Sequence, residues 1–264
     1  MKSFEGKTVL ITGASSGIGR AFAEKFAASK AKLLLTARRE DQLRKLAAEL
    51  SEKHGVEVHY FKADLSRPDA PWQIFEWVKS KNFQIDVLIN NAGFGSYGRF
   101  DESSIEEVQA MMQVNIQALV LLTRLFLPEI KTRKGGIIQI ASTAAFQPIP
   151  YLALYAATKA FVKSFSKAIW SENRDVRIFC LCPGNTESEF HDTAGIHQKK
   201  VFFRATTDDL VQYGIDKFLN SDAPARIHGV MNSIMAFSNR LIPTRLGLWV
   251  AQKIYEIRTD HKQK

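Results

Sequence analysis

Cysteine is scarce in this chain of 264 residues: there are two, Cys180 and Cys182. They stand two apart in the apolar, β-branched run VRIFCLC, so on a strand both side chains point to one face. Such a pair builds no disulfide framework, and a reducing compartment is expected. The six histidines, at 54, 59, 191, 197, 228 and 261, form no H-x-x-x-H pair, and C-x-C without partner ligands is no zinc ribbon. No metal site is expected. No apolar run approaches the roughly 18 to 20 residues that span a bilayer, and the N-terminal MKSFEGKTVLITG has no secretory core followed by a cleavage site. The reading is cytoplasmic. The glycine-rich turn TGASSGIG lacks the Gly-Lys-Ser/Thr ending of a P-loop, and Ser142 stands in no G-x-S-x-G hydrolase elbow. The net charge of +9 is spread along the chain rather than gathered in a basic arm with interleaved aromatics, which argues against nucleic acid. Nucleotide phosphates and anionic lipids remain as anionic partners.

What is present is a rhythm. KTVLIT (7 to 12), AKLLLT (31 to 36), VEVHYF (56 to 61), IDVLIN (85 to 90), GIIQIAS (136 to 142) and VRIFCLC (176 to 182) are short aliphatic runs, mostly apolar throughout, as in a parallel sheet covered on both faces. Helical patterns lie between them, including 20 to 28, 39 to 50 and the long 105 to 130. Strand alternating with helix predicts an α/β fold, a doubly wound parallel sheet in a single domain. After Pro183 and Gly184 the rhythm breaks into a polar stretch, read as a substrate flap over 185–205, with a C-terminal extension at 230–264.

Three local patterns carry chemistry. The first strand runs into TGASSGIG, where Gly13, Gly17 and Gly19 allow a tight turn, close approach to a phosphate and close packing of the next helix. A purely structural turn is compatible with the same spacing. The second strand ends in Ala37, Arg38 and Arg39, where an acid would hold a ribose 2′-hydroxyl. Two guanidiniums and no carboxylate favour a 2′-phosphate, hence NADP(H) over NAD(H). In YLALYAATKAF, Tyr151, Tyr155 and Lys159 follow one another at intervals of four and would share a face of one helix. Only Tyr155 has a lysine one turn further on.

TGASSGIG, NNAG (90 to 93), Asn115, Ser142, Tyr155 and Lys159 together resemble the short-chain dehydrogenase/reductase family over residues 7 to about 190. The resemblance implies a Rossmann-type fold, a nicotinamide cofactor and a homodimer or homotetramer. It also implies a cofactor site made of Gly13, Ser15, Ser16, Gly17, Ile18 and Gly19, with Asp64 and Leu65 at the adenine and Asn91, Ala92 and Gly93 along the middle. Asn91 can equally brace the sheet. Pro183, Gly184, Thr186 and Ser188 are implied at the carboxamide, although Asn185 and Ser188 replace the commoner proline and threonine. A carbonyl reduction needs a hydride and a proton. Tyr155 is read as the acid in reduction and the base in oxidation. Lys159 is expected to favour its phenolate and to hold the nicotinamide ribose. Ser142 is read as ending the fifth strand and orienting the substrate oxygen, and Asn115 is implied in a proton relay through a water.

The substrate pocket is expected from FGSYGRF, AAFQPIPYL and the flap, with Phe94, Phe146 and Tyr151 beside Ser142 and Tyr155. That lining suits a hydrophobic ketone or aldehyde. An NAD-dependent hydroxysteroid or hydroxyacyl dehydrogenase is the alternative enzyme, and a non-catalytic NADP(H)-sensing protein the alternative of another class. The tail from 230 onward mixes apolar residues with Arg240, Arg245, Lys253 and Arg258, which fits a peripheral membrane contact, a pocket cover or a subunit contact.

Overall fold

The computed structural model describes residues 3–186, 205–238 and 241–256, with side chains to Lys253. Seven parallel strands form one sheet in the order β3-β2-β1-β4-β5-β6-β7. They are β1 (Thr8–Thr12), β2 (Lys32–Ala37), β3 (Val58–Lys62), β4 (Val87–Asn90), β5 (Gly136–Ile140), β6 (Arg177–Cys182) and β7 (Ala225–Ile227). The helices are α1 (Gly17–Ala28), α2 (Glu40–His54), α3 (Ala70–Ser80), α4 (Ile105–Met112), α5 (Leu119–Thr132), α6 (Ala153–Glu172), α7 (Thr207–Asn220), α8 (Val230–Ser238) and α9 (Thr244–Glu256).

The apolar runs become strands because both of their faces are covered. Val9, Ile11, Leu33 and Leu35 pack with Phe22 and Phe26 of α1, Leu43 of α2 and Phe218 of α7. Their alternates Leu10, Leu34 and Leu88 pack with Ile74 of α3, Phe126 of α5 and Ile169 of α6. Two cores thus sandwich the sheet.

β1 pairs with both β2 and β4, so the strand order reverses between β1 and β4. Ligands in such sheets bind beyond the carboxyl ends of the strands at that reversal. At the opposite end, buried Asp86 ties the edge together. It accepts from the Thr8 amide at 3.0 Å and from Arg133 at 3.1 Å, and pairs with Lys7 at 3.2 Å.

Two expectations are corrected here. β5 stops at Ile140, and Ser142 lies beyond it as the cap of a 3-10 turn over Thr143–Phe146. The Ser142 hydroxyl oxygen accepts from the Ala144 amide at 3.1 Å, which turns the chain out of the sheet. Tyr151 does not share a helix with Tyr155. α6 begins at Ala153, and Tyr151 sits in the preceding turn with φ 64°, following Pro150.

The long helix runs as expected, interrupted by a π-helical segment over Gln113–Ala118 between α4 and α5. Its 28 residues, Ile105–Thr132, are long and apolar enough to cross a membrane, yet Leu122, Phe126 and Ile130 are fully buried against the sheet.

Candidate active site

The turn after β1 is shaped by glycine and one asparagine. Gly13 has φ 65°, in the left-handed region, and a Cβ there would lie 2.9 Å from Asn91 Nδ2. A Cβ on Gly19 would lie 2.3 Å from the Gly13 carbonyl oxygen, so the start of α1 can approach the turn only without one. Asn91 Nδ2 donates to the carbonyls of Thr12 at 2.9 Å and Gly13 at 3.2 Å. In return the Thr12 hydroxyl accepts from the amides of Asn91 and Ala92, each at 3.0 Å. Asn91 therefore braces the β1–β4 junction, the structural alternative for NNAG, while keeping the turn in shape.

Ser16 precedes α1 without capping it, and the first turn of α1 holds no acid, so nothing of negative charge competes for its amides. Arg39, at the start of α2, reaches back over this turn. Its guanidinium donates to Ser16 Oγ at 2.6 Å and to Ser15 Oγ at 3.2 Å. Arg38 is exposed beside it, after buried Ala37. The Ala63 amide bonds the Ala37 carbonyl at 3.0 Å, which sets Asp64 and buried Leu65 next to this edge. Asp64 itself accepts from the amide and hydroxyl of Ser66. The left-handed glycine, the acid-free helix start and the overhanging guanidinium fit the phosphate end of a dinucleotide.

The second half of the site is a polar seam between the two cores. The π-helical segment carries Asn115, almost fully buried, and every polar atom of its amide is used. Oδ1 accepts from the Phe94 amide at 3.0 Å, while Nδ2 donates to the Phe94 carbonyl at 2.9 Å and to Thr158 Oγ1 at 3.0 Å. Thr158 Oγ1 donates to the Tyr155 carbonyl at 2.8 Å. Thr158 was not anticipated. The signal was a β-branched hydroxyl residue inside a helix, a position it fills poorly unless its oxygen has a partner.

Lys159 is 5 % exposed and donates to the Ile140 carbonyl at 2.9 Å. Its ammonium lies over the Tyr155 ring, 5.8 Å from the ring centre. Burial pulls its pKa down from 10.5 to about 8. A Cβ on Gly93 would meet both Asn115 Oδ1 and Lys159 Nζ at 3.1 Å, so these two groups line one small space.

Tyr155 is buried in a cluster with Tyr97, Met111, Ile149 and Leu152, against which Phe94 and Tyr151 pack. The Tyr97 and Tyr151 rings stand 5.9 Å apart. Phe146 is not part of this wall, contrary to expectation. It packs with Leu119, Val162 and the cysteines, under the Lys163 ammonium 3.9 Å from its ring centre. The 3-10 turn points it there, and the Lys163 bond to the Ala145 carbonyl at 2.6 Å fastens the turn. Beyond β6, the Thr143 amide bonds the Pro183 carbonyl at 2.7 Å, and Thr186 Oγ1 donates to the Gly184 carbonyl at 3.1 Å. Thr186 bridges Ala205, which pins together the two ends of the 185–205 segment. Ser188 and residues 187–204 lie outside the described residues.

Residues 7–199 match the short chain dehydrogenase family. The chain belongs to that family. A relative from Schizosaccharomyces pombe, an NADP-dependent 3-hydroxy acid dehydrogenase, is 35% identical over 195 residues, covering 72% of this chain and 75% of that protein. An Arabidopsis thaliana 11-beta-hydroxysteroid dehydrogenase 1A is 38% identical over 189 residues, covering 70% of this chain and 53% of that protein, so the chain spans about half the length of the plant relative. Among solved structures, a short-chain dehydrogenase from Sphingobium yanoikuyae in complex with NADPH superposes with a TM-score of 0.80 at 32% identity, over 89% of this chain and 94% of that one. The chain's strand order, with the reversal at β1 and β4, is that of the Rossmann-like fold expected for it.

Proposed function

We propose that this short chain dehydrogenase reduces a hydrophobic ketone or aldehyde to the alcohol with NADPH, reversibly. The observation that carries the proton chemistry is the Lys159 ammonium, buried and held over the Tyr155 ring. NADPH, when bound, supplies the hydride. Gly13, Ser15, Ser16, Gly17, Ile18 and Gly19 would hold its pyrophosphate end, with Arg38 and Arg39 at the 2′-phosphate. Asp64 and Leu65 would border the adenine, and Asn91 to Gly93 with Pro183 to Thr186 and Ser188 would follow the remainder.

The rest is work for side chains of this chain. As the substrate carbonyl becomes an alkoxide, Tyr155 gives it the phenolic proton, and the cation of Lys159 stabilises the phenolate left behind. Ser142 already accepts from the Ala144 amide, which leaves its own hydrogen to orient the substrate oxygen. Asn115, fixed through Phe94 and Thr158, keeps its oxygen beside the space reached by Lys159, the route by which a proton returns. The wall of Phe94, Tyr97 and Tyr151 suits an apolar substrate. Preference for NADPH over NADH rests on Arg39 over the serines and on Ala37 standing where an acid would bind a diol. A cytoplasmic location, supported by the reduced C-x-C pair, and a homodimer or homotetramer, supported by family resemblance, complete the proposal.

The test is NADPH and NADH oxidation by the purified chain against aromatic, aliphatic, steroidal and ketoacyl carbonyls, with Tyr155→Phe alongside. Tyr155→Phe is expected to lower kcat by about 100- to 10,000-fold while still binding NADPH. Undiminished turnover in that variant would remove Tyr155 as the acid.

A further inference from the structure

The last two described helices are built inside out. Among the described side chains, the buried apolar residue of α8 is Ala236 and that of α9 is Ala251, both small. The large ones face outward: Val230 is 78% exposed, Phe237 62% and Trp249 59%, with Ile234 and Leu246 also more than half exposed, and Leu241 between the helices is 73% exposed. Single exposed apolar residues are ordinary, but a contiguous set on two successive helices marks a docking surface.

Charge decides what docks there. The chain has 27 acidic residues, yet none falls between Val230 and Lys253, where Arg240, Arg245 and Lys253 are the charged residues. On α9, Arg245, Trp249 and Lys253 follow at intervals of four and are all exposed, so two cations and an indole share one ridge with Leu246 at its flank. A second copy seated by two-fold symmetry would set this basic stretch against itself, with no acid in the stretch to answer it. An anionic phospholipid surface answers both features. Its acyl boundary takes the apolar side chains, its headgroups take the guanidinium and ammonium, and the indole sits between.

We propose that α8 and α9 rest on an anionic phospholipid surface. The site lies beside that contact. α8 packs on β7 and on the 3-10 turn that follows Ser142, and a Cβ on Gly184 would come within 2.2 Å of Asn232 Nδ2 of α8. The bilayer is thereby brought next to the end of β6, where an apolar substrate could enter directly. The docking itself does not depend on the reaction proposed above.

The experiment is co-sedimentation of the full chain with vesicles of phosphatidylcholine alone and of phosphatidylcholine with phosphatidylserine, alongside sedimentation velocity without lipid. The chain is expected to pellet with the anionic vesicles and weakly with the neutral ones. Arg245→Gln lowers the partition coefficient about fivefold, the worth of one basic side chain at an anionic surface. Phe237→Glu with Trp249→Glu abolishes pelleting; both positions are exposed, and an unchanged melting curve verifies the fold. Three outcomes overturn the proposal: no pelleting of the parent chain, pelleting indifferent to lipid charge and to all three substitutions, or a parent dimer that becomes monomeric in the double variant without binding vesicles. The last would assign the face to a second copy.

Discussion

Lys159→Met should make the protein more stable while ending its proton chemistry. The ammonium is buried and its pKa falls from 10.5 to about 8. Between those values the native state binds fewer protons than the unfolded chain, so wild-type stability rises with pH across that window. The sign is opposite to that of a lysine whose folded pKa is raised by a partner. At 1.36 kcal/mol per unit, keeping the charge buried at neutral pH costs roughly 3 kcal/mol, and at about pH 9.5 roughly 1 kcal/mol of that remains. Methionine removes the charge at similar volume but withdraws a donor from the Ile140 carbonyl, a loss of about 1 kcal/mol. The variant should therefore be about 2 kcal/mol more stable than wild type near pH 7 and nearly equal to it near pH 9.5. Urea denaturation of both proteins at the two pH values reads the difference, and the carbonyl contribution cancels in the comparison. A gap that does not change with pH, or a variant less stable at pH 7, would refute the buried-cation reasoning.

Arg39→Ala should raise KM for NADPH about 10- to 100-fold, the range of a charge-assisted contact, and leave KM for NADH unchanged. Equal shifts for both cofactors would remove the phosphate role. Asp86→Asn should lose about 3 kcal/mol at neutral pH, because it leaves Arg133 and Lys7 facing a buried neutral amide. Burial works to raise the Asp86 pKa, but Arg133, the Thr8 amide and Lys7 outweigh it and hold the carboxyl below the ordinary range. Its contribution is present above the unfolded value and disappears as pH falls through the folded one, so wild type and Asp86→Asn should converge in acid denaturation below about pH 4. Gly93→Ala should lower kcat about tenfold, because its methyl sits 3.1 Å from the Asn115 and Lys159 head groups and displaces the softer lysine. Full turnover in that variant would show that the lysine position is not critical.

The six longer strands were legible because most are apolar on both faces, a pattern that burial between two helix layers demands. β7 was not. Three residues with an arginine in the middle carry no such signature, and it forms by pairing with β6 at the sheet edge. The i, i+4 spacing of Tyr151 and Tyr155 misled, because spacing says nothing about where a helix starts. Pro150 and the φ of 64° at Tyr151 set that start later. Phe146 was likewise misplaced by adjacency in sequence, since a tight 3-10 turn after Ser142 directs it into the cluster around Cys180 and Cys182. Asn115 came from family resemblance alone. QVNIQA contains neither glycine nor proline, so nothing local announces the π-helical segment that carries it.

The corrected site has a simpler logic than the sequence offered. Thr12 and Asn91 lock β1 to β4 at the strand reversal, and Asn115, Phe94 and Thr158 lock the chain leaving β4 to α6. Each is a set of reciprocal hydrogen bonds, and each uses buried polar atoms that would be costly without partners. Between them lies Gly93, where an added Cβ would come within 3.1 Å of Asn115 Oδ1 and of Lys159 Nζ. The glycine turn and Tyr155 are far apart in sequence, yet these two locks fix their separation through one short segment, Asn91 to Phe94. Lys159 is the exception within the seam. It is buried as a cation that donates to the Ile140 carbonyl, with no carboxylate beside it among the described residues, so it is held at a cost to stability. A group kept under those terms points to chemistry, because an apolar side chain of the same size would serve the fold better.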